Sequence, residues 1–94
     1  MKILKELILR EIAGDAVLVP VGKTVLEHNG LFALNEVGAD IWKCIEAGNT
    51  PEEIVTILAE RYDAPETEIR VDTQTFLRDL ASQGILEYEE KTPG

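Results

Sequence analysis

Catalysis in a folded site needs a nucleophile beside a base, a carboxylate pair in a cleft, or a cluster of metal ligands. Few residues of this chain qualify. It holds one serine, Ser82, one histidine, His28, and one cysteine, Cys44. Their neighbourhoods put Ser82 at a helix end, His28 beside a hairpin turn and Cys44 on a buried helical stripe, so no spacing brings them together. Cys44 reads as a small core residue and His28 as a solvated turn residue. A cysteine and a histidine without positioned carboxylates do not make a zinc site. The acidic pairs Glu52-Glu53 and Glu66/Glu68 fall in first helical turns, where the helix dipole favours negative charge, and read as caps rather than acid–base dyads. Trp42 reads as core or sheet-facing rather than as a ligand platform. The expectation is a protein with no catalytic residue, no metal and no cofactor. The chemistry on offer is that of the main chain. Leu31-Phe32-Ala33-Leu34 reads as a short apolar strand, and if it ends a small sheet as an open edge, its unpaired N–H and C=O groups can take an extended peptide as a new strand.

The elements that must position this strand are legible in outline. Leu7 to Ile12, a turn at Ala13-Gly14-Asp15, and Ala16 to Val21 predict an antiparallel hairpin. Pro20 cannot donate to a ladder, which places that end at an edge or in a frayed end. Asn29-Gly30 suits a tight turn with positive φ at both central residues, and Leu31 to Leu34 returns as the last strand. Val25 to His28 reads as either a strand or an irregular arm. From Asn35, an N-cap, the period becomes helical, with Val37, Ile41, Cys44 and Ile45 on one stripe and Gly48 as the residue that ends it. Thr50-Pro51-Glu52-Glu53 is a three-part start signal: a capping Thr, a Pro at the first turn and a Glu that completes a capping box. Ile54, Ile57, Leu58 and Tyr62 face inward along this second helix. After the break at Asp63-Ala64-Pro65, a long third helix carries Ile69, Thr73, Phe76, Leu77 and Leu80 inward and ends at Gly84. Ile85 to Tyr88 is extended, and 89–94 reads as a disordered tail.

Size and charge narrow the functions. A chain of 94 residues, 45% hydrophobic, makes one domain, here taken as 1–88. Its formal charge of −9 repels phosphate backbones and anionic lipid surfaces, so neither nucleic acid nor membrane is an expected partner. The uncharged run Ala16 to Gly22 is too short to span a bilayer, and Met1 to Glu6 lacks an apolar targeting core. A cytoplasmic protein, monomeric or weakly dimeric, is expected. Strands followed by three helices give an α+β chain on a winged helix-turn-helix plan: an N-terminal three-stranded antiparallel sheet, then three α-helices. Winged helices often bind DNA through their last helix, but here its first half carries Glu66, Glu68 and Asp72 against Arg70. DNA-binding regulation is therefore the weaker alternative, beside a scaffold or dimerisation domain that pairs the sheet edge with itself.

A second stripe on the third helix, Val71, Thr75, Arg78 and Ser82, lies away from its core positions and could line a groove. Its apolar residue, two hydroxyls and cation would suit a peptide offering apolar anchors and a carboxylate; the bland alternative is a boundary between core and solvent. Arg78 and Arg70 are the candidate cations, Arg70 with helix-surface pairing to Glu66, Gln74 or Asp79 as its alternative.

Several segments together resemble a known family. Leu34-Asn35-Glu36-Val37-Gly38-Ala39-Asp40-Ile41-Trp42, Gly48, Thr50-x-Glu52-Glu53-Ile54, Ala59-Glu60-Arg61-Tyr62-Asp63 and Asp72-x3-Phe76-Leu77-x2-Leu80-x3-Gly84-Ile85-Leu86 are similar, in order and spacing, to the pyrroloquinoline quinone synthesis protein D (PqqD-like) family. The likeness covers about residues 7 to 88. It implies a RiPP recognition element, a non-catalytic peptide chaperone for quinone cofactor (PQQ) synthesis or a related pathway. Such a module binds the leader of a ribosomally made precursor peptide and presents it to a modifying enzyme, typically a radical S-adenosylmethionine protein. The implied peptide-binding residues are Leu31, Phe32, Ala33 and Leu34 on the last strand, with Val71, Thr75, Arg78 and Ser82 on the third helix. The link from Val21 to Gly30 is longer than the turn this pattern leads one to expect.

Overall fold

A computed structural model of the chain describes residues 1–27 and 31–88. The expected Asn29-Gly30 turn, His28 and the 89–94 tail lie outside the described residues. The element order is β1 (Lys2–Ile3), β2 (Leu7–Ile12), β3 (Asp15–Pro20), α1 (Thr24–Glu27), β4 (Phe32–Leu34), α2 (Glu36–Glu46), α3 (Pro51–Arg61), α4 (Glu66–Ser82) and β5 (Leu86–Glu87).

The β2–β3 hairpin turns through Ala13 and Gly14, both at positive φ (52° and 86°), the conformation whose twist matches that of the flanking strands. β3 is the centre of a three-stranded antiparallel sheet in the order β2-β3-β4. Leu7, Ala16 and Leu18 are buried on its inner face. Against that face packs α2, the α3–α4 pair packs in turn on α2, and the fully buried core is built from Leu18, Ile41, Trp42, Ile54, Leu58, Leu77 and Ile85. Burial of each such side chain contributes roughly 1.5–3 kcal/mol. Val55, which the α3 periodicity left out, is also buried.

The helix ends follow their local signals. Gly38 N–H donates to Asn35 Oδ1 at 2.7 Å, and the α3 capping box is complete: Glu53 N–H donates to Thr50 Oγ1, and Thr50 N–H to Glu53 Oε1. Gly48 and Gly84 stand at positive φ just past α2 and α4, where a left-handed residue closes a helix.

Two features depart from the expected plan. Among the described residues there are four helices, because Thr24–Glu27 is neither strand nor arm but a single helical turn. Its Thr24 is buried and its hydroxyl accepts from Glu6 N–H at 2.8 Å, so the long link after β3 is pinned to the segment before β2. The chain start also takes part in the fold. β1 pairs antiparallel with β5 as a second, two-stranded sheet, Lys2 opposite Glu87 and Ile3 opposite Leu86, and Leu4 N–H donates to Ile85 O at 2.8 Å.

Candidate functional site

β4 pairs with β3 on one side, and among the described strands nothing pairs with its other side. Which of its backbone groups face outward follows from register. A two-residue hairpin loop makes its flanking pair, Ile12 and Asp15, a hydrogen-bonded pair, and pairs then alternate. Val17–Arg10 is hydrogen-bonded by that parity, whereas Leu7–Pro20 is not, which is why Pro20 is tolerated without an N–H. Ala16 and Leu18 therefore direct their backbone groups at their β4 partners, Leu34 and Phe32. The N–H and C=O of Ala33, opposite Val17, point away from β3 to the open edge.

The side chains alternate to match. Phe32 and Leu34 are half-buried against the core, while Ala33 is exposed and Leu31, just outside the strand, is 61% exposed. The expected four-residue strand is thus three residues long, with its inner pair assigned to Phe32 and Leu34.

Directly after β4, Asn35 begins one wall of a groove of about 690 Å³, continued by Val37, Gly38 and Ile41 of α2. The facing wall is α4, through Asp72, Thr75, Phe76, Arg78, Asp79 and Ser82. The two walls are close because Gly38 has no side chain. A Cβ there would stand 3.1 Å from the Phe76 ring and 3.1 Å from Asn35 Oδ1, the oxygen that caps α2. The floor is apolar, from Val37, Ile41 and Phe76, and the α4 rim is polar.

Of the α4 residues expected to face a groove, Thr75, Arg78 and Ser82 do so and Val71 does not: it is 61% exposed and outside the lining. At 100° per residue the lining is centred about 50° around the helix from the expected stripe, toward the core. The groove is the seam where α4 meets α2, so it opens on the flank of the core face rather than opposite it. Asp72, Phe76 and Asp79 were missed for that reason; a half-apolar flank beside the core stripe is the signal that could have found them. Ser82 Oγ donates to the Asp79 carbonyl at 2.7 Å, which leaves the hydroxyl oxygen as its acceptor. Arg70 lies outside the groove and its Nη1 meets Glu52 Oε1 at 2.5 Å, a partner on α3 rather than the neighbours on its own helix.

Around the back of α2, the Tyr62 hydroxyl donates to the Asp40 carboxylate and Arg61 Nη1 lies 3.4 Å from the same group. Burial first, then this hydrogen bond, pushes the Tyr62 phenol well above its ordinary range. Lys43 Nζ holds Glu11 Oε1 at 2.6 Å, tying the hairpin to α2, and this bond raises the lysine. Burial pushes the Cys44 thiol up, as expected of a core residue rather than a nucleophile. No group of three or more His, Cys, Asp or Glu among the described residues is placed to hold a metal ion, and no described helix is long and apolar enough to cross a membrane.

The family model for coenzyme PQQ synthesis protein D matches residues 15–86, which include the β3–β4 pair, both groove walls and the first residue of β5. A "PqqA binding protein" of Rhodopseudomonas palustris (strain HaA2) is 31% identical over 70 residues, 73% of this chain and 69% of that protein. A solved structure described as "TbiB1 in Complex with the TbiA(beta) Leader Peptide" superposes with a TM-score of 0.76 at 31% identity, covering 97% of this chain and 100% of that one. By the family match over most of its length and by these likenesses, the chain belongs to the coenzyme PQQ synthesis protein D (PqqD) family.

Proposed function

We propose that this protein is a non-catalytic RiPP recognition element: it binds the leader of a ribosomally made precursor peptide and presents it to a modifying enzyme, a radical S-adenosylmethionine protein by the family's pattern. The single observation that carries this is the outward-facing backbone of Ala33 on an open edge that runs into the α2–α4 groove. A leader strand added to β4 meets the Ala33 N–H and C=O with its own backbone. Its residues opposite Phe32 and Leu34 point inward toward the groove, where Thr75, Arg78 and Ser82 stand on α4. Those opposite Leu31 and Ala33 continue the outer face of the sheet. Main-chain bonds supply affinity that does not depend on leader sequence, and the groove supplies discrimination. The relatives support the reading, since one is described as binding PqqA and the other is in complex with a leader peptide.

In this reading residues 1–88 form one cytoplasmic domain, the three-stranded sheet and last three helices follow a winged helix-turn-helix plan, and the protein acts as a monomer or weak dimer. Affinity falls in the micromolar to nanomolar range, roughly −8 to −12 kcal/mol, because a disordered leader is ordered on binding. The test is calorimetric titration with leader peptides synthesised from precursor reading frames beside the gene, and with a short DNA duplex as control. Saturable binding of one leader and none of DNA is expected. Salt-dependent duplex binding would favour a regulator, and a concentration-dependent dimer that leader does not dissolve would favour a scaffold.

A further inference from the structure

We propose that the groove selects leaders carrying Lys or Arg on the side that faces α4, with Asp72 and Asp79 as the specificity-determining residues; this rests on the leader-binding reading above. Both carboxylates line the groove, are exposed, and form no ion pair or hydrogen bond through their side chains with another described residue. Asp72 and Asp79 sit two helical turns apart, roughly 10 Å along the axis, on the same flank as Phe76. Arg78, the groove's cation, stands roughly 100–120° round the helix from both carboxylates.

The other wall does not offset this acidity. The positive end of α2 points its Gly38 N–H into the Asn35 side chain and carries Glu36 in its first turn, and both weaken its pull on an incoming carboxylate. A peptide strand repeats on one face about every 6.7 Å. Two basic side chains placed two or four residues apart on the inward face bracket the Asp72–Asp79 spacing, and their long flexible stems take up the difference while lying along the apolar floor. The matching leader alternates apolar and basic residues inward.

Each exposed pair is worth little by itself, and two give a discrimination of about 2- to 30-fold that weakens with salt. The probe is a library of random 12-residue peptides displayed multivalently on phage, panned against the parent, the D72N/D79N double variant, and E46Q/E60Q, which removes the same charge from exposed positions elsewhere on α2 and α3. Parent and E46Q/E60Q are expected to enrich peptides with Lys or Arg interleaved with apolar residues; D72N/D79N keeps the apolar preference, loses the basic one and binds a selected peptide 2- to 30-fold more weakly. Apolar enrichment without a basic preference, or one that D72N/D79N retains, overturns the charge selection and leaves leader binding standing. No enrichment on any protein, or selected peptides indifferent to Ala33→Pro, overturns leader binding at this edge and the charge selection with it.

Discussion

Ala33→Pro separates the open edge from the fold. The register turns the Ala33 N–H away from β3, so proline there removes no bond of the β3–β4 ladder, and Phe32 before it is already in the extended conformation that a following proline requires. Stability should fall by about 1 kcal/mol at most. Binding should fall much further. The leader carbonyl that would accept from this N–H loses a bond worth about 0.5–1.5 kcal/mol net and, if it stays shielded, is left unsatisfied at a cost of about 1–3 kcal/mol. Taking about 1–3 kcal/mol for the whole effect gives a Kd weaker by about 5- to 150-fold. Phe32→Pro is the opposite case, since its N–H faces β3 and its ring packs against the core, and it should cost at least about 2 kcal/mol of stability. The assay pairs urea unfolding of each variant with titration of a leader that the parent binds. Intact Ala33→Pro with parental affinity would refute strand addition at β4, and a collapse of its stability would refute the assigned hydrogen-bond parity.

Other outcomes follow from single side chains. Thr73 is fully buried and its hydroxyl has no partner among the described residues, so Thr73→Val should add about 1–2 kcal/mol, read as a rise in Tm of about 4–8 °C per kcal/mol, with leader affinity unchanged because Thr73 faces the core. Because folding raises the Tyr62 pKa, its neutral hydroxyl contributes stability that is fully present below the unfolded value near pH 10 and is lost as pH rises toward the higher folded value. Unfolding across pH 8 to 12 should show a steeper alkaline loss in the parent than in Tyr62→Phe. Cys44, buried and with a raised thiol pKa, should react with a thiol reagent at the rate of global or local opening, and denaturant should accelerate it.

What the sequence determined by itself is local. Asn35, Thr50 with Glu53, Gly48 and Gly84 each mark a helix boundary through bonds within a few residues, so their types and spacing were sufficient, and the core stripes of α2 and α4 followed from period alone. The apolar run Leu31 to Leu34 likewise announced a strand, which forms over Phe32–Leu34, and the family's ordered motifs announced the family. Tertiary structure decided everything that depends on which surfaces meet. That β4 is an edge among the described strands, and that Phe32 and Leu34 rather than Leu31 and Ala33 face inward, depends on its pairing with β3. The two-residue strand β1 shows no period of its own and exists because β5 returns beside it. The groove lies at a seam between helices distant in sequence, which is why Asp72, Phe76 and Asp79 replaced Val71 in its wall. Hydrogen bonds within one turn are encoded where they form, whereas an edge or a groove is what remains uncovered once all the other elements have packed.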